Sequence, residues 1–189
     1  MAILKVAHLG HPVVRKVAAK VDPAALTGAD MQRFLDDMVE TMREYEGIGL
    51  AAPQVHVLQQ IAVIDGALLD DEPDVPEVAR GLFFLVNPVL HTPKQRRFQM
   101  WEGCLSVPGF RGKVPRIKEL EVEAWDRHGK PLRFAAKGYF AGVVQHEVDH
   151  LSGKVYLDRM QDLSTLAYLK EYRRYYDKES AALDEIVES

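Results

Sequence analysis

The chain contains the stretch Gln145-His146-Glu147-Val148-Asp149-His150, in which two imidazoles stand four residues apart. On a helix such positions lie on one face, so both rings can reach the same metal ion. Glu147 shares this stripe, and its carboxylate is expected to lie beside the ion and to carry protons for a hydrolytic reaction. The apolar run that precedes the histidines predicts a buried helix over residues 139–151, with Ser152-Gly153 as its end.

Two histidines leave a catalytic metal site one protein ligand short, because such sites usually have three protein ligands and a water. A third histidine is not available, since Tyr156 stands where one would follow Gly153. Glu171 lies at a suitable distance downstream. Cys104, in Trp101-Glu-Gly-Cys-Leu-Ser106, is the other candidate, because a thiolate suits zinc or ferrous iron and Gly103 allows close backbone approach. From the residues alone both remain open.

A third segment, Gly47-Ile-Gly-Leu-Ala-Ala-Pro-Gln54, carries little side-chain bulk. A substrate backbone could therefore lie against it. Gln54 at its end can donate a hydrogen bond to a developing oxyanion. The segment lacks the lysine of a phosphate-binding loop and the glycine spacing of a dinucleotide-binding turn, so it does not indicate a nucleotide site.

The rest of the chain has the periodicities of an α+β protein, with helices packed on small, mostly antiparallel sheets. The predicted elements are an amphipathic helix over 30–46 that ends at Gly47, buried strands over 60–64 and 82–86, a half-exposed strand through Leu120, Val122 and Ala124, a turn over 126–130 into a strand over 131–136, and a final helix marked by Leu163, Leu166, Leu169, Tyr172 and Tyr176.

Composition narrows the class of protein. A length of 189 residues predicts one domain over 1–189, and a net charge of -4 argues against a nucleic-acid binder that depends on phosphate neutralisation. The single cysteine excludes an internal disulfide and, with no secretion signal at the N-terminus, favours the cytoplasm. The longest apolar run, over 82–86, is too short to cross a membrane. The acidic stretch over 65–79 is expected to be a solvated loop.

Together the three segments resemble the three motifs of the peptide deformylase family, in the same order. Leu9-Gly-His-Pro-Val-Val-Arg15 is similar to the family's N-terminal segment, and Asn87-Pro88 precedes the second motif as in the family. The resemblance covers most of the chain. It implies a metal-dependent hydrolase that removes formyl from the N-formylmethionyl ends of newly made polypeptides and releases formate.

The resemblance also implies roles for individual residues. It makes Cys104, His146 and His150 the ligands of one divalent ion, Fe²⁺ in the cell, with Zn²⁺, Ni²⁺ or Co²⁺ able to substitute. Glu147 becomes the general acid and base, and the Gln54 side chain and the backbone N–H of Leu105 become the oxyanion donors. The residues that contact substrate are Ile48, Gly49, Gly103, Arg111, Tyr139, Gly142 and Val143.

Two departures from the common bacterial pattern bear on substrate selectivity. Gly142 replaces a larger aliphatic residue, which is expected to widen the methionine pocket, and Val107-Pro-Gly-Phe110 resembles the mitochondrial and plastid branch. We also expect Glu102 to pair with Arg111 and so to support the loop that carries Cys104.

Bacterial relatives suggest that the final helix contacts the ribosome through Lys170, Arg173, Arg174 and Lys178. The acidic residues interleaved with them favour a solvated face instead.

Two rival hypotheses stand beside the deformylase. One is a zinc peptidase with Glu171 as its third ligand, which leaves the segment around Cys104 unexplained. The other is a non-catalytic module stabilised by a metal, which requires a closed site of four ligands, and the sequence offers no fourth ligand.

Overall fold

A computed structural model describes residues 2–69 and 75–177, together with the backbone of 184–185. Over these residues the fold is α+β, as predicted, with three helices and two antiparallel sheets. The helices and strands are α1 Ala29–Glu44, β1 Gly49–Ala51, β2 Ile61–Asp65, β3 Leu82–His91, β4 Arg97–Cys104, β5 Val107–Ile117, β6 Glu119–Trp125, β7 Pro131–Lys137, α2 Gly138–Leu151, β8 Ala167–Tyr168, α3 Leu169–Tyr175 and β9 Asp184–Glu185.

The larger sheet has the strand order β1-β2-β3-β6-β7 and lies between α1 and α2. Successive side chains of a strand point to opposite faces. Val63 and Phe84 therefore pack with α1, while Ile64 and Leu85 pack with α2. Burial on both faces explains why β2 and the first half of β3 are continuous apolar runs in the sequence. β6 and β7 confirm the predicted half-exposed hairpin.

The smaller sheet, in the order β8-β5-β4-β9, was not predicted. Its centre is the β4–β5 hairpin, in which Glu102 lies opposite Gly112 and Cys104 opposite Val107. An irregularity in the pairing between Glu102 and Cys104 breaks the ladder next to the cysteine. Helix α2 contacts strands of both sheets, so it is the element that joins them.

Two helix boundaries differ from prediction. Helix α1 ends at Glu44, and the residue with positive φ beyond it is Glu46 (φ 55°), while Gly47 donates its N–H to the carbonyl of Met42 at 2.9 Å. The predicted final helix over 163–176 begins only at Leu169. Before it, Leu163–Thr165 forms a 3-10 turn, and the Asp162 side chain accepts the N–H of Ser164 at its start. Strand β8 pairs with Phe110 and Arg111 of β5.

The N-terminal segment crosses all three motif-bearing parts of the chain. The N–H groups of Ala7, Leu9 and Ala18 donate to the carbonyls of Gln54, Ser106 and Leu151 at 2.7, 2.7 and 2.9 Å. No described helix is long and apolar enough to cross a membrane. Part of the predicted acidic loop (70–74) and Lys178 of the predicted cationic face lie outside the described residues.

Candidate metal centre

The structure brings the three predicted ligands together from two elements. Cys104 is the last residue of β4, and His146 and His150 lie on one face of α2. The ligand atoms of the three residues all lie within 4.8 Å of one another, and Cys104 Sγ is 3.3 Å from His150 Nε2. One thiol and two imidazoles at this separation are a donor set for one divalent transition-metal ion.

The surroundings of the sulfur favour its thiolate. The Ser106 backbone N–H donates to Cys104 Sγ at 3.4 Å, and the Gln54 side-chain amide lies 3.6 Å from it. Burial by itself raises the pKa of the Cys104 thiol. The facing His150 and His146 outweigh burial and hold that pKa well below its usual value. A thiolate is the form in which cysteine binds a metal.

A chain of ion pairs fixes the first histidine. His146 Nδ1 lies 2.7 Å from Glu102 Oε2, which leaves its other ring nitrogen for a metal. Arg116 donates to both oxygens of Glu102 at 2.6 and 2.9 Å and to Asp149 at 2.6 Å, and Arg159 donates to the far side of Asp149 at 2.5 Å. Burial raises the pKa of Glu102, but the charge of Arg116 outweighs it and lowers that pKa overall.

The expected pair between Glu102 and Arg111 is wrong, because Arg116 occupies both carboxylate oxygens. Glu102 and Arg116 both point to the buried face of the β4–β5 hairpin, on which alternate residues are inaccessible. Arg111 instead lies across the backbone of Gly103, where a Cβ would overlap the guanidinium, and donates to the Phe110 carbonyl at 2.9 Å.

Glu147 lies buried against the backbone of Gly49, where a Cβ would overlap its carboxylate. Its Oε2 atom has no hydrogen-bond partner among the described residues. Burial raises the pKa of Glu147 above that of an ordinary carboxyl group. A buried carboxylate with an unused oxygen, next to a Cys-His-His donor set, fits a metal ion with a reacting water beside it.

The orientation of Gln54 is fixed from both ends of its amide. Its oxygen accepts the Ala51 N–H at 2.8 Å, and its nitrogen lies 3.1 Å from Ser106 Oγ and 3.6 Å from Cys104 Sγ. The amide N–H₂ group is thus held towards Cys104, where it can donate to an anionic oxygen in the cleft.

A cleft of about 600 Å³ opens onto these groups. Its lining contains Glu147, His146, Cys104 and Gln54, and the predicted contact residues Ile48, Gly49, Gly103, Leu105, Arg111, Tyr139 and Val143. Helix α3 closes one side with Leu169, Tyr172 and Arg173, and Tyr172 packs on Trp101 with ring centroids 4.9 Å apart. Glu171 of the same helix does not join the cluster of ligand atoms, which removes the main support for the peptidase hypothesis.

Gly142 is not among the residues that line the cleft. A Cβ built on Gly142 would overlap the sulfur of Met100 and lie 3.5 Å from the ring of Phe98. Met100 comes from β4, is 6% exposed and itself lines the cleft. The space left by the glycine is therefore filled by a thioether from the neighbouring strand. Gly142 itself adds no open space to the cleft, and its effect on the methionine pocket stays a prediction.

Sequence reasoning missed Met100, Arg116 and Asp149. Arg116 could have been found by recognising the β4–β5 hairpin, because it alternates with buried Val114 on the inner face. Asp149 lies within the histidine motif, but its role depends on Arg116 and so on the hairpin.

Comparisons with known proteins all point to one family. Residues 3–165 match the model of a family described as polypeptide deformylase. The chain is 41% identical over 167 residues to peptide deformylase 1 of Bordetella pertussis, covering 88% of this chain and 91% of that protein. It is similar to a crystal structure of class I type b peptide deformylase from Acinetobacter baumannii (TM-score 0.76, 31% identity, 85% of this chain and 100% of that one). A peptide deformylase from Legionella pneumophila gives a TM-score of 0.74 at 33% identity, over 95% and 96% of the two chains.

Proposed function

Because this chain belongs to the polypeptide deformylase family, we propose that its Cys104, His146 and His150 hold one divalent metal ion for the hydrolysis of N-formylmethionyl ends. The enzyme releases formate and leaves the free amino group of methionine on newly made polypeptides. The observation that carries the residue assignment is the convergence of three ligand atoms within 4.8 Å, beside a buried carboxylate with an unused oxygen.

The proposed ion in the cell is Fe²⁺, and Zn²⁺, Ni²⁺ or Co²⁺ can take its place. A donor set of one thiolate and two imidazoles suits each of these ions and does not suit Mg²⁺ or Ca²⁺. When bound, such an ion supplies Lewis acidity, which makes water a better nucleophile and the formyl carbon a better electrophile.

The chain's own residues then handle the protons and the developing charge. Glu147 removes a proton from the water while the water oxygen forms a bond to the formyl carbon. The amide of Gln54 and the backbone N–H of Leu105 donate to the formyl oxygen as it becomes negative. Glu147 passes its proton to the amide nitrogen, the C–N bond breaks, and formate and the amine separate. Ile48, Gly49, Gly103, Arg111, Tyr139 and Val143 hold the peptide in the cleft.

The decisive experiment identifies both the bond that is cut and the third ligand. Protein loaded with Fe²⁺ without oxygen is given N-formyl-Met-Ala-Ser and its acetyl analogue. We expect formate and intact Met-Ala-Ser from the first and much slower reaction of the second, because the added methyl must fit at the carbonyl carbon. Cys104→Ala is expected to lose the metal and the activity, whereas Glu171→Gln keeps both. Mass spectrometry and metal analysis give the readouts.

Other results would support the rival hypotheses. Internal cleavage of the peptide, together with metal loss in Glu171→Gln, would establish the peptidase. A Co²⁺-loaded sample gives an independent check, because a thiolate-to-cobalt absorption band is expected in the wild type and not in Cys104→Ala. An absent band in the wild type contradicts the ligand assignment.

We further propose that the enzyme is cytoplasmic and consists of one domain over 1–189. We also propose that it reaches nascent chains through transient contact between its C-terminal helix and the ribosome. The support is that α3 ends at Tyr175 and so carries three basic residues, Lys170, Arg173 and Arg174, against one acidic residue, Glu171, at the edge of the cleft. Co-sedimentation with ribosomes should weaken with added salt and on Lys170→Glu/Arg174→Glu. Ribosome binding that does not depend on salt, or no binding at all, would refute the proposed ribosome contact.

A further inference from the structure

Met100 and Gly142 form an interlocked pair between β4 and α2. The thioether of Met100 occupies the position that a Cβ of residue 142 would need, and the ring of Phe98 closes the hollow behind it. Neither partner can change size alone, because protein interiors are close-packed. A larger residue at 142 must push Met100 towards the cleft, and a smaller residue at 100 must open the cleft towards Gly142.

This pair lies next to the reaction site. Gly142 precedes His146 by four residues, which is one helical turn on the same face of α2. Met100 precedes Glu102 and Cys104 on the inner face of β4, where alternate residues are buried. The tip of Met100 therefore forms part of the cleft wall about one helical turn from a proposed metal ligand, in a cleft that Tyr139 and Val143 also line.

The chemistry of the substrate places its first side chain against that wall. In an N-formyl peptide only the amide nitrogen and one Cα separate the formyl carbon from the first side chain. A formyl group held at Cys104, His146 and Glu147 therefore puts that side chain within a few ångströms of the site. The apolar lining of the cleft near α2 is supplied by Met100, Tyr139 and Val143.

We propose that Met100, seated over Gly142, is a specificity-determining residue that sets how large a first side chain the enzyme accepts. The inference rests on the proposed function. A thioether is unbranched and polarisable, so it adapts to another flexible apolar chain such as methionine but resists a rigid aromatic ring. The size limit thus comes from a strand residue, with the helix glycine only making room for it.

The test compares kcat/KM for N-formyl-Xaa-Ala-Ser peptides with Xaa as alanine, methionine, norleucine and phenylalanine. Met100→Ala is expected to raise the phenylalanine-to-methionine ratio about tenfold, since a few methylenes in a pocket change discrimination by roughly 10–200-fold. Gly142→Ala is expected to lower the methionine-to-alanine ratio about tenfold by displacing Met100 into the cleft. The double variant should return both ratios towards the wild type. Most of each change should appear in KM, because the wall contacts substrate and transition state alike.

Ratios within one sample do not depend on how much protein folds, so a loss of stability does not imitate the effect. Met38→Ala is the matched control, because Met38 is a fully buried methionine of α1 that does not line the cleft. It is expected to lose stability and to keep both ratios.

If the wild type turns over and both ratios change by less than twofold in Met100→Ala and Gly142→Ala, the inference is overturned. The proposed function is then unaffected. Failure of the wild type to release formate from any of the four peptides overturns the proposed function, and the inference with it.

Discussion

Arg116 links Glu102, beside the proposed metal centre, to Asp149 one turn further along α2. Its side chain is 3% exposed and bonds to Glu102, which holds His146, and to Asp149, which follows within the same helix. Carboxylates that orient a metal-binding histidine are generally held in place themselves. We therefore expect Arg116 to act on the proposed metal through Glu102, as a positioning residue.

Arg116→Met is expected to destabilise the fold by about 3–5 kcal/mol, because it leaves Glu102 and Asp149 buried without their shared cation. Metal affinity should fall roughly 10–100-fold, as for other losses of support behind a ligand. Chelator competition and chemical unfolding measure the two effects. Arg159→Met is the matched control: it also removes a partner of Asp149, but one whose side chain is 41% exposed, so less than about 1 kcal/mol should be lost. Equal effects of both variants would disprove a special role for Arg116.

Glu147→Gln is expected to keep the metal and the fold while lowering kcat by about 10²–10⁴-fold. Glutamine has nearly the same shape and fits against Gly49, but it cannot take a proton from water. Metal content, thermal unfolding and kcat are compared with those of Glu171→Gln, the same change on α3. Loss of metal in Glu147→Gln would show that the carboxylate is a ligand.

At the scale of elements, periodicity predicted helices and strands whose buried face is largely apolar. Helix α1 and the β6–β7 hairpin lie within a few residues of their predicted bounds for this reason. Strand β4 was missed because Glu102 interrupts the buried alternation of Phe98, Met100 and Cys104. Arg116 interrupts β5 in the same way. The buried ion pair beside the proposed metal centre thus made both strands difficult to predict from the sequence.

The final helix shows the opposite error. Leu163, Leu166 and Leu169 are spaced three residues apart and indicate a helix, but Asp162 caps a short turn and β8 finds partners on the edge of β5. Edge pairing depends on the position of a distant strand, which local spacing does not contain.

Helix α2 ends at a backbone position that requires glycine. Gly153 has φ 68°, and a Cβ there would overlap the carbonyl of Arg15 in the N-terminal segment. Gly153→Ala is expected to cost about 3 kcal/mol of stability, the sum of left-handed backbone strain and overpacking.

Gly109→Ala is the control for that variant, because Gly109 has φ 80° with nothing within 4 Å of its would-be Cβ. It should cost only the conformational part, about 1 kcal/mol. Chemical unfolding of both variants decides, and equal losses would mean that contact with the N-terminal segment is unimportant.

At the scale of the whole molecule, the proposed metal joins two layers of the fold. Cys104 belongs to the smaller sheet, whereas His146 and His150 belong to the helix that covers the larger one. The proposed ligands and Glu147 could be nominated from the sequence because each lies in a short motif. Met100 and Arg116 were not, because their roles arise from pairings between distant segments.

Removal of the metal by a chelator is expected to lower the unfolding temperature, because an ion that binds only the folded state adds stability by mass action. The gain is about 2.7 kcal/mol at a free concentration of 100 Kd. Differential scanning calorimetry with and without Co²⁺ measures it. Cys104→Ala should unfold at one temperature under both conditions. A metal-dependent rise in that variant would argue that other residues bind the ion.

The N-terminal segment has a consequence for biosynthesis. Ala7, Leu9 and Ala18 emerge from the ribosome before their backbone partners, which extend as far as Leu151. Contacts between such distant positions form only after the intervening chain is available. The β6–β7 hairpin and α1 can form locally during translation, but the metal centre cannot close until α2 has left the exit tunnel. With the proposed ligands on α2, each new copy of this protein is expected to stay inactive until α2 has been translated.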